Sequence, residues 1–423
     1  MSKISKIWSR QILDSRGLPT VETACQLDSG QIAVASVPGG TSTGTHEALE
    51  LRDNDPTKFK GKGVSQAVEN VNKILGPGVW GIDSTDQDRI DKRLTELDGT
   101  PNKSKYGANA LLSISIAAAK AGALASNENL YAWINTLAKR QGINATSHIP
   151  TPIFNMINGG LHGAGNLDFQ EFHVIPASSK IFHDSLRAGV EIYIVLGEDL
   201  ERRGAIHSVG DEGGYAPNLF TNADALEVLY ESIKSTEYQI GRDVFFGLDV
   251  AASVFYKNNE YTIRDKSAPL KDEGLLEYYK YINGQYHLAL IEDPFHEDAW
   301  DSWKKLYDTF QGQLTIVGDD LLATNLERLQ KAIVEHACDG ILVKPNQAGT
   351  ITETLKVIKV ARDANWKIIA SHRSGETNDT FIADFAVGVG ADYAKFGAPA
   401  RGERVVKYNR LLSIESELAS KQQ

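Results

Sequence analysis

Cysteine is nearly missing from this chain: Cys25 and Cys338 are the only two in 423 residues. They lie far apart and lack the paired spacing of a zinc site. A disulfide framework and a structural zinc are therefore excluded as the basis of the fold, and a reducing, cytoplasmic setting is expected. Long hydrophobic runs are absent too. The most apolar stretch, Ala108 to Ala125, is interrupted by Asn109, Ser113, Ser115, Lys120 and Gly122, and reads as a buried helix rather than a membrane span. The opening Met1-Ser2-Lys3-Ile4-Ser5-Lys6 leads into a short strand instead of an apolar core, so no signal peptide is expected. Positive charge is in short supply, with 44 Lys and Arg against 55 Asp and Glu for a formal net charge of −11. That balance argues against nonspecific binding to nucleic acid or anionic membrane, and an anionic ligand would need a local basic pocket or a metal.

What is present suits a large enzyme. At 42% hydrophobic and 23% charged residues, the chain can bury a sizeable core. Its length accommodates a barrel of about 250 residues plus a second domain. We place the division at residues 1–141 and 142–423. In the first part Val21, Thr23, Cys25 and Leu27 alternate with other residues, Asp28-Ser29-Gly30 turns, and Ile32, Val34 and Ser36 alternate again, as in a hairpin. Val64, Ala67, Val68, Val71, Ile74 and Leu75 form a helical stripe expected to stop at Gly76-Pro77. Beyond a linker of Asn, Thr, Ser, His and Pro, strands and helices alternate. Apolar segments there end in turn on Asp249, Glu292, Asp319, Lys344, His372-Arg373 and Lys395, the last five recurring every 23 to 28 residues. That interval is one strand plus one helix, the rhythm of a β/α barrel, whose catalytic groups sit at the C-terminal ends of the strands.

Asp249, Glu292 and Asp319 supply three hard oxygen ligands in register, which suits Mg²⁺. One acid at a strand end is more often a helix cap or an ion-pair partner; three together favour a metal. Lys344 and Lys395 fit a general base and an electrostatic stabiliser, against the alternative that they merely neutralise the acids. Among the glycine-rich segments, Pro38-Gly39-Gly40-Thr41-Ser42-Thr43-Gly44 lacks the Gly-Lys-Ser/Thr ending of a phosphate-binding P-loop. Asn158 to Asn166 contains His162 and precedes Gln170-Glu171. Gly210-Asp211-Glu212-Gly213-Gly214 sets two acids among glycines, where they serve turns as easily as chemistry. His372-Arg373-Ser374-Gly375 offers a guanidinium fork and a hydroxyl to a phosphate. His148, His183 and His336 read as surface residues.

Taken together these segments resemble the enolase family over nearly the whole chain. The resemblance rests on Ser42-Thr43-Gly44 with Glu47 to Glu50, Ile157 to Gly160 with Gln170-Glu171-Phe172, Gly210 to Gly214, and Glu292-Asp293-Pro294-Phe295. Gly318-Asp319-Asp320, Lys344-Pro345-Asn346-Gln347 and Ser371 to Thr377 complete it. It implies an N-terminal α+β domain capping a C-terminal (β/α)8-type barrel whose first elements depart from all-parallel order. The implied reaction is reversible dehydration of 2-phosphoglycerate to phosphoenolpyruvate, a step of glycolysis and gluconeogenesis. In the implied roles Lys344 removes the proton, Glu212 with Glu171 beside it protonates the departing hydroxyl, and Lys395 adds positive charge. Asp249, Glu292 and Asp319 would hold one Mg²⁺, and a second, recruited with substrate, would be completed by Ser42. His162, Gln170, His372, Arg373 and Ser374 would line the substrate pocket. Gly39, Thr41, Val254, Pro345, Phe396 and Gly402 depart from the usual family pattern without removing a catalytic group. The resemblance also implies a cytoplasmic homo-oligomer, dimer or octamer, with a surface pool in some relatives, and no nucleic-acid or membrane partner. Competing readings are another acid-sugar dehydratase of the superfamily, whose Lys-x-Lys base motif is missing here, and a noncatalytic binding protein on the same fold.

Overall fold

The computed structural model describes residues 2–40, 46–163 and 165–420. Three antiparallel strands open the chain: β1 (Ile4–Leu13), β2 (Pro19–Leu27) and β3 (Ile32–Ser36), with β2 in the middle. Val21, Thr23, Cys25 and Leu27 are buried as their alternation requires. The helix Ala108–Ala125 packs on this sheet and is itself 83% buried. Its polar interruptions are tethers. The Ser113 hydroxyl meets that of Thr23 at 2.7 Å, and the Ser115 hydroxyl accepts from the Ile351 amide at 3.0 Å, at the start of helix Ile351–Asp363. Lys120 reaches Asp379 at 2.7 Å. Buried hydroxyls satisfied across elements cost little and fix the helix in one register.

Gly76-Pro77 does not stop its helix. Ser65–Asn70 runs into a widened turn at Val71–Leu75, and Gly76–Val79 continues it. The Gly76 amide donates to the Val71 carbonyl five residues back, so the coil is already loosened where the N–H of Pro77 is missing. A Cβ on Gly76 would stand 2.7 Å from the Val71 oxygen and 3.2 Å from Ile7 Cβ, so the close approach to β1 requires glycine there.

Residues 141–150 carry no helix or strand. Eight strands then close a barrel: β4 (Thr151–Asn158), β5 (Glu171–Pro176), β6 (Val244–Asp249), β7 (Leu288–Glu292), β8 (Thr315–Gly318), β9 (Gly340–Val343), β10 (Lys367–Ser371) and β11 (Tyr393–Lys395). The ring runs β4-β5-β6-β7-β8-β9-β10-β11 and back to β4. Only β5 is antiparallel to its neighbours, the departure from all-parallel order that the resemblance implies. Ile153, Ile175, Leu290, Val317, Leu342 and Ile369, one from each of six strands, fill the barrel as an interior layer. Side chains on a strand repeat every two residues, so the residue two steps toward the mouth also faces inward. From Leu290 that residue is Glu292, from Val317 it is Asp319, from Leu342 it is Lys344, and from Tyr393 it is Lys395.

The N-terminal domain sits against this mouth. Gly39 and Gly375 exchange backbone hydrogen bonds at 2.8 and 2.9 Å, and the Ser15 amide donates to the Glu376 carbonyl at 2.7 Å. Glu47 pairs with Arg373 at 2.9 Å.

Candidate active site

The strand register lines up Glu171 with Asp249 and Asp249 with Glu292 on three consecutive strands. Lys395 rises among them, with Nζ 2.8 Å from Glu292, 2.9 Å from Asp249 and 3.3 Å from Glu171. Burial works against its charge, but these acids overcome it and hold the ammonium well above its usual range. Lys344 donates to Asp319 and is likewise raised, Asp319 outweighing burial and the nearby Arg373 and Lys395. In this ligand-free arrangement both lysines neutralise acids. Glu292 is driven well above the carboxylate range by burial and then by Asp249, against the pull of Lys395.

Four strands from Lys344 around the ring, and so across the mouth from it, lies a second group. Glu171 accepts from His173 at 2.8 Å, and His162 Nδ1 lies 3.6 Å from Glu171 and 3.4 Å from Glu212. Glu212 also has Asn155 and His372 Nε2 at 3.3 Å each. Burial and Glu171 push the Glu212 carboxyl up, yet His162 and His372 prevail and bring it down to about 2. Glu212 at rest is therefore an ionised carboxylate. His162 is raised, the same carboxylates overcoming its burial, and carries the proton of the group.

Between the two groups stand Ser371, His372, Arg373 and Ser374 at the end of β10. Arg373 donates to Glu47 at 2.9 Å and to Asn346 at 3.0 Å. Together these residues line one concave cleft at the barrel mouth, where converging polar groups mark a small-molecule site. His162, Gln170, Glu171, Glu212, Asp249, Asp319, Lys344, His372, Arg373, Ser374 and Lys395 all face it, while Glu292 is buried at 1% exposure beneath. Ser42 falls outside the described residues.

The donor set fits a divalent cation. Among the described residues, seven carboxylates line the cleft (Glu47, Glu171, Glu212, Asp249, Asp293, Asp319 and Asp320) against Lys344, Arg373, Lys395 and the protonated His162. Glu292 Oε1 is buried with no hydrogen-bond partner among the described residues. Such an excess of buried acid, with one oxygen left over, is stable with a hard cation or with protons. The expected trio is not drawn together, however. Among the described residues, Asp319 clusters instead with Asp293 and Asp320, their oxygens within 4.8 Å of one another. Lys395 holds Asp249 and Glu292, and Lys344 holds Asp319.

Residues 4–134 match the family model described as "Enolase, N-terminal domain", and residues 146–423 match "Enolase, C-terminal TIM barrel domain". The chain belongs to the enolase family. The domain pair supports a lyase of the enolase superfamily acting on a small molecule, and the family generally uses Mg²⁺.

Sequence reasoning missed several residues of this enolase-family site. His173 lies two residues below Glu171 on the same inward face and is fully buried; strand alternation from Glu171 points to it. Asp293 accepts the amides of Asp319 at 2.9 Å and Asp320 at 2.7 Å, holding the β8 end in place. Gln347 donates to Asp319 at 3.2 Å and its carbonyl accepts from Thr324 at 2.6 Å. Arg404, in helix Gly402–Ser420, has no exposure at all, and only its position three residues before Lys407 hints at a shared inward face. His148, His183 and His336 are exposed, as expected. Both cysteines are free and buried, and burial pushes the Cys25 thiol up to about 12.

Proposed function

We propose that this protein is a phosphopyruvate hydratase that interconverts 2-phosphoglycerate and phosphoenolpyruvate. The observation that carries the reading is the placement of Lys344 across the mouth from the Glu171–Glu212 pair, with Arg373 and Ser374 between them. Loss of water across two adjacent carbons needs a base at one carbon and an acid at the hydroxyl of the next, and opposed placement keeps them from quenching each other.

Asp249, Glu292 and Asp319 would hold Mg²⁺, which when bound neutralises charge building on the substrate carboxylate; a second ion, involving Ser42, belongs to the same proposal. That enolase-superfamily sites pair a lysine or histidine base with Mg²⁺ is a general pattern, stated as such. Once Asp319 is engaged elsewhere, Lys344 loses the partner that raises it. Arg373 and Lys395 then push its proton off, leaving the neutral amine a base requires. Arg373 with Ser374 would receive the phosphate, exchanging Glu47 for a phosphate oxygen. Lys395 remains charged beside the carboxylate region. Glu212, ionised at rest, must gain a proton before it can act as an acid. The source is the charged His162, 3.4 Å away, and negative charge arriving with the substrate favours the transfer.

The test follows phosphoenolpyruvate by ultraviolet absorbance from 2-phosphoglycerate, with Mg²⁺ or excess chelator, for wild type and Lys344→Ala. Turnover that needs both the metal and Lys344, with a loss of about 10²-fold or more in the variant, is expected. No product from the folded wild type with Mg²⁺ would overturn the assignment and favour another acid substrate of the superfamily.

A further inference from the structure

The first turns of helix Gly402–Ser420 send two cations into the protein, Arg404 and Lys407, neither with any exposure. Lys407 donates to the Thr377 carbonyl at 3.0 Å and pairs with Glu376 at 2.9 Å. Glu376 in turn accepts from the Arg373 amide and the Thr377 amide, each at 3.1 Å, closing the loop that follows β10. This half of the arrangement is a brace.

Arg404 does something more specific. One terminal nitrogen donates to the Arg373 carbonyl at 2.7 Å and to His372 Nδ1 at 2.6 Å. The other donates to the carbonyls of Ser374 at 2.6 Å and Asp211 at 3.0 Å. A guanidinium has donors only, so His372 Nδ1 must present its lone pair. The ring proton is then on Nε2, which lies 3.3 Å from Glu212 Oε2.

We propose that Arg404 is a positioning residue of this active site. By occupying His372 Nδ1 it fixes the imidazole as the neutral Nε2–H tautomer facing Glu212. By bridging the carbonyls of Asp211, Arg373 and Ser374 it holds the acid and the anion-binding segment at one spacing. The inference rests on the reading of Glu212 as the acid. His372 is faced by Glu212, Glu171 and Arg404, and burial together with the Arg404 charge keeps its pKa low against the pull of Glu212. With the guanidinium gone, Nδ1 is free to take a proton, and an imidazolium beside Glu212 would hold that carboxylate ionised and unable to donate.

Histidine-selective ¹⁵N NMR on the full-length protein without substrate reads the tautomer directly. His372 is picked out from the ten histidines by the signal lost in His372→Asn. In wild type the Nδ1 resonance is expected at the unprotonated position throughout pH 6 to 8, on the order of the ordinary histidine titration range. In Arg404→Met the same signal should move to that of an imidazolium near neutral pH, with kcat down about tenfold or more. Arg404→Lys, which can still donate to Nδ1, should recover the wild-type signal and part of kcat. A wild-type His372 protonated on Nδ1 overturns the proposal without any variant, so a variant that fails to fold leaves it testable. A folded Arg404→Met with the wild-type His372 signal also overturns it, whatever its activity. Wild type that lacks turnover of 2-phosphoglycerate but has the expected tautomer would defeat the assigned reaction and leave the positioning role standing.

Discussion

Replacing Lys395 by methionine keeps most of the unbranched stem and removes the charged end, leaving Asp249, Glu292 and Glu171 facing one another in a buried space. Each of the three carboxylates lies 2.8 to 3.3 Å from Nζ. At an effective dielectric of about 20, one such pair is attracted by roughly 5 kcal/mol before desolvation is counted. The net cost of orphaning a buried charge is smaller, about 3–5 kcal/mol, because the remaining groups relax or take up protons. The variant is therefore expected to lose about 3–5 kcal/mol at pH 7 in chelator, read from urea unfolding with fluorescence and circular dichroism coinciding. The sign with pH follows from Glu171, whose carboxyl is held well below its usual 4.5, burial being overcome by Lys395 first and then by His162 and His173. A lowered acid contributes stability above its unfolded pKa and loses it as pH falls, so the deficit of the variant should be full at pH 7 and shrink below about 4.5. Millimolar Mg²⁺ should narrow it as well, since a dication on Asp249 and Glu292 replaces the missing charge. A variant within about 1 kcal/mol of wild type in chelator, or a gap indifferent to Mg²⁺, would refute the account of Lys395 as the resting counter-charge of this site.

Asp91 is fully buried, accepting from the Thr352 amide at 2.9 Å and its hydroxyl at 2.7 Å, and burial lifts its pKa to about 6. An acid raised in the folded state is stabilising while protonated, and that contribution fades as pH rises through about 4 to 6, by about 3 kcal/mol in all; subtracting the urea-derived stability profile of Asp91→Asn from that of wild type should isolate this slope, and parallel profiles would count against it. Gly76→Ala should cost about 1–3 kcal/mol despite the better helix propensity of alanine, because its Cβ would meet the Val71 oxygen and Ile7; a raised thermal midpoint would contradict the close packing of this helix on β1.

The barrel was readable because its strands are buried on both faces, so each appears as an apolar run that ends where the backbone reaches the mouth and charge becomes tolerable. Asp249, Glu292, Asp319, Lys344 and Lys395 therefore stood out one by one, and the two-residue period from Leu290, Val317, Leu342 and Tyr393 explains why the last four converge. What remained hidden depends on partners distant in sequence. Whether Lys344 is paired with Asp319, and Lys395 with Asp249 and Glu292, is set by which strands are neighbours, and no spacing along the chain records it. Gly76-Pro77 misled because a local rule for ending helices assumes regular hydrogen bonding, which the widened turn at Val71–Leu75 had already abandoned.

Arg404 marks the deeper limit. In the sequence it is one more arginine on an amphipathic helix, where the usual expectation is a solvated charge. Its importance lies in having no exposure: among the described residues its two terminal nitrogens donate to Asp211, His372, Arg373 and Ser374. The Glu403 carboxylate lies 3.5 Å from its Nε, and a cation this deeply buried remains costly unless carbonyl and imidazole lone pairs are also aimed at it in advance. The segments carrying Glu212 and Arg373 are thus constrained by the same guanidinium. The proposed acid and the proposed anion-binding residue, 161 positions apart in the chain by subtraction of their numbers, are held at one distance by a residue that is wholly buried.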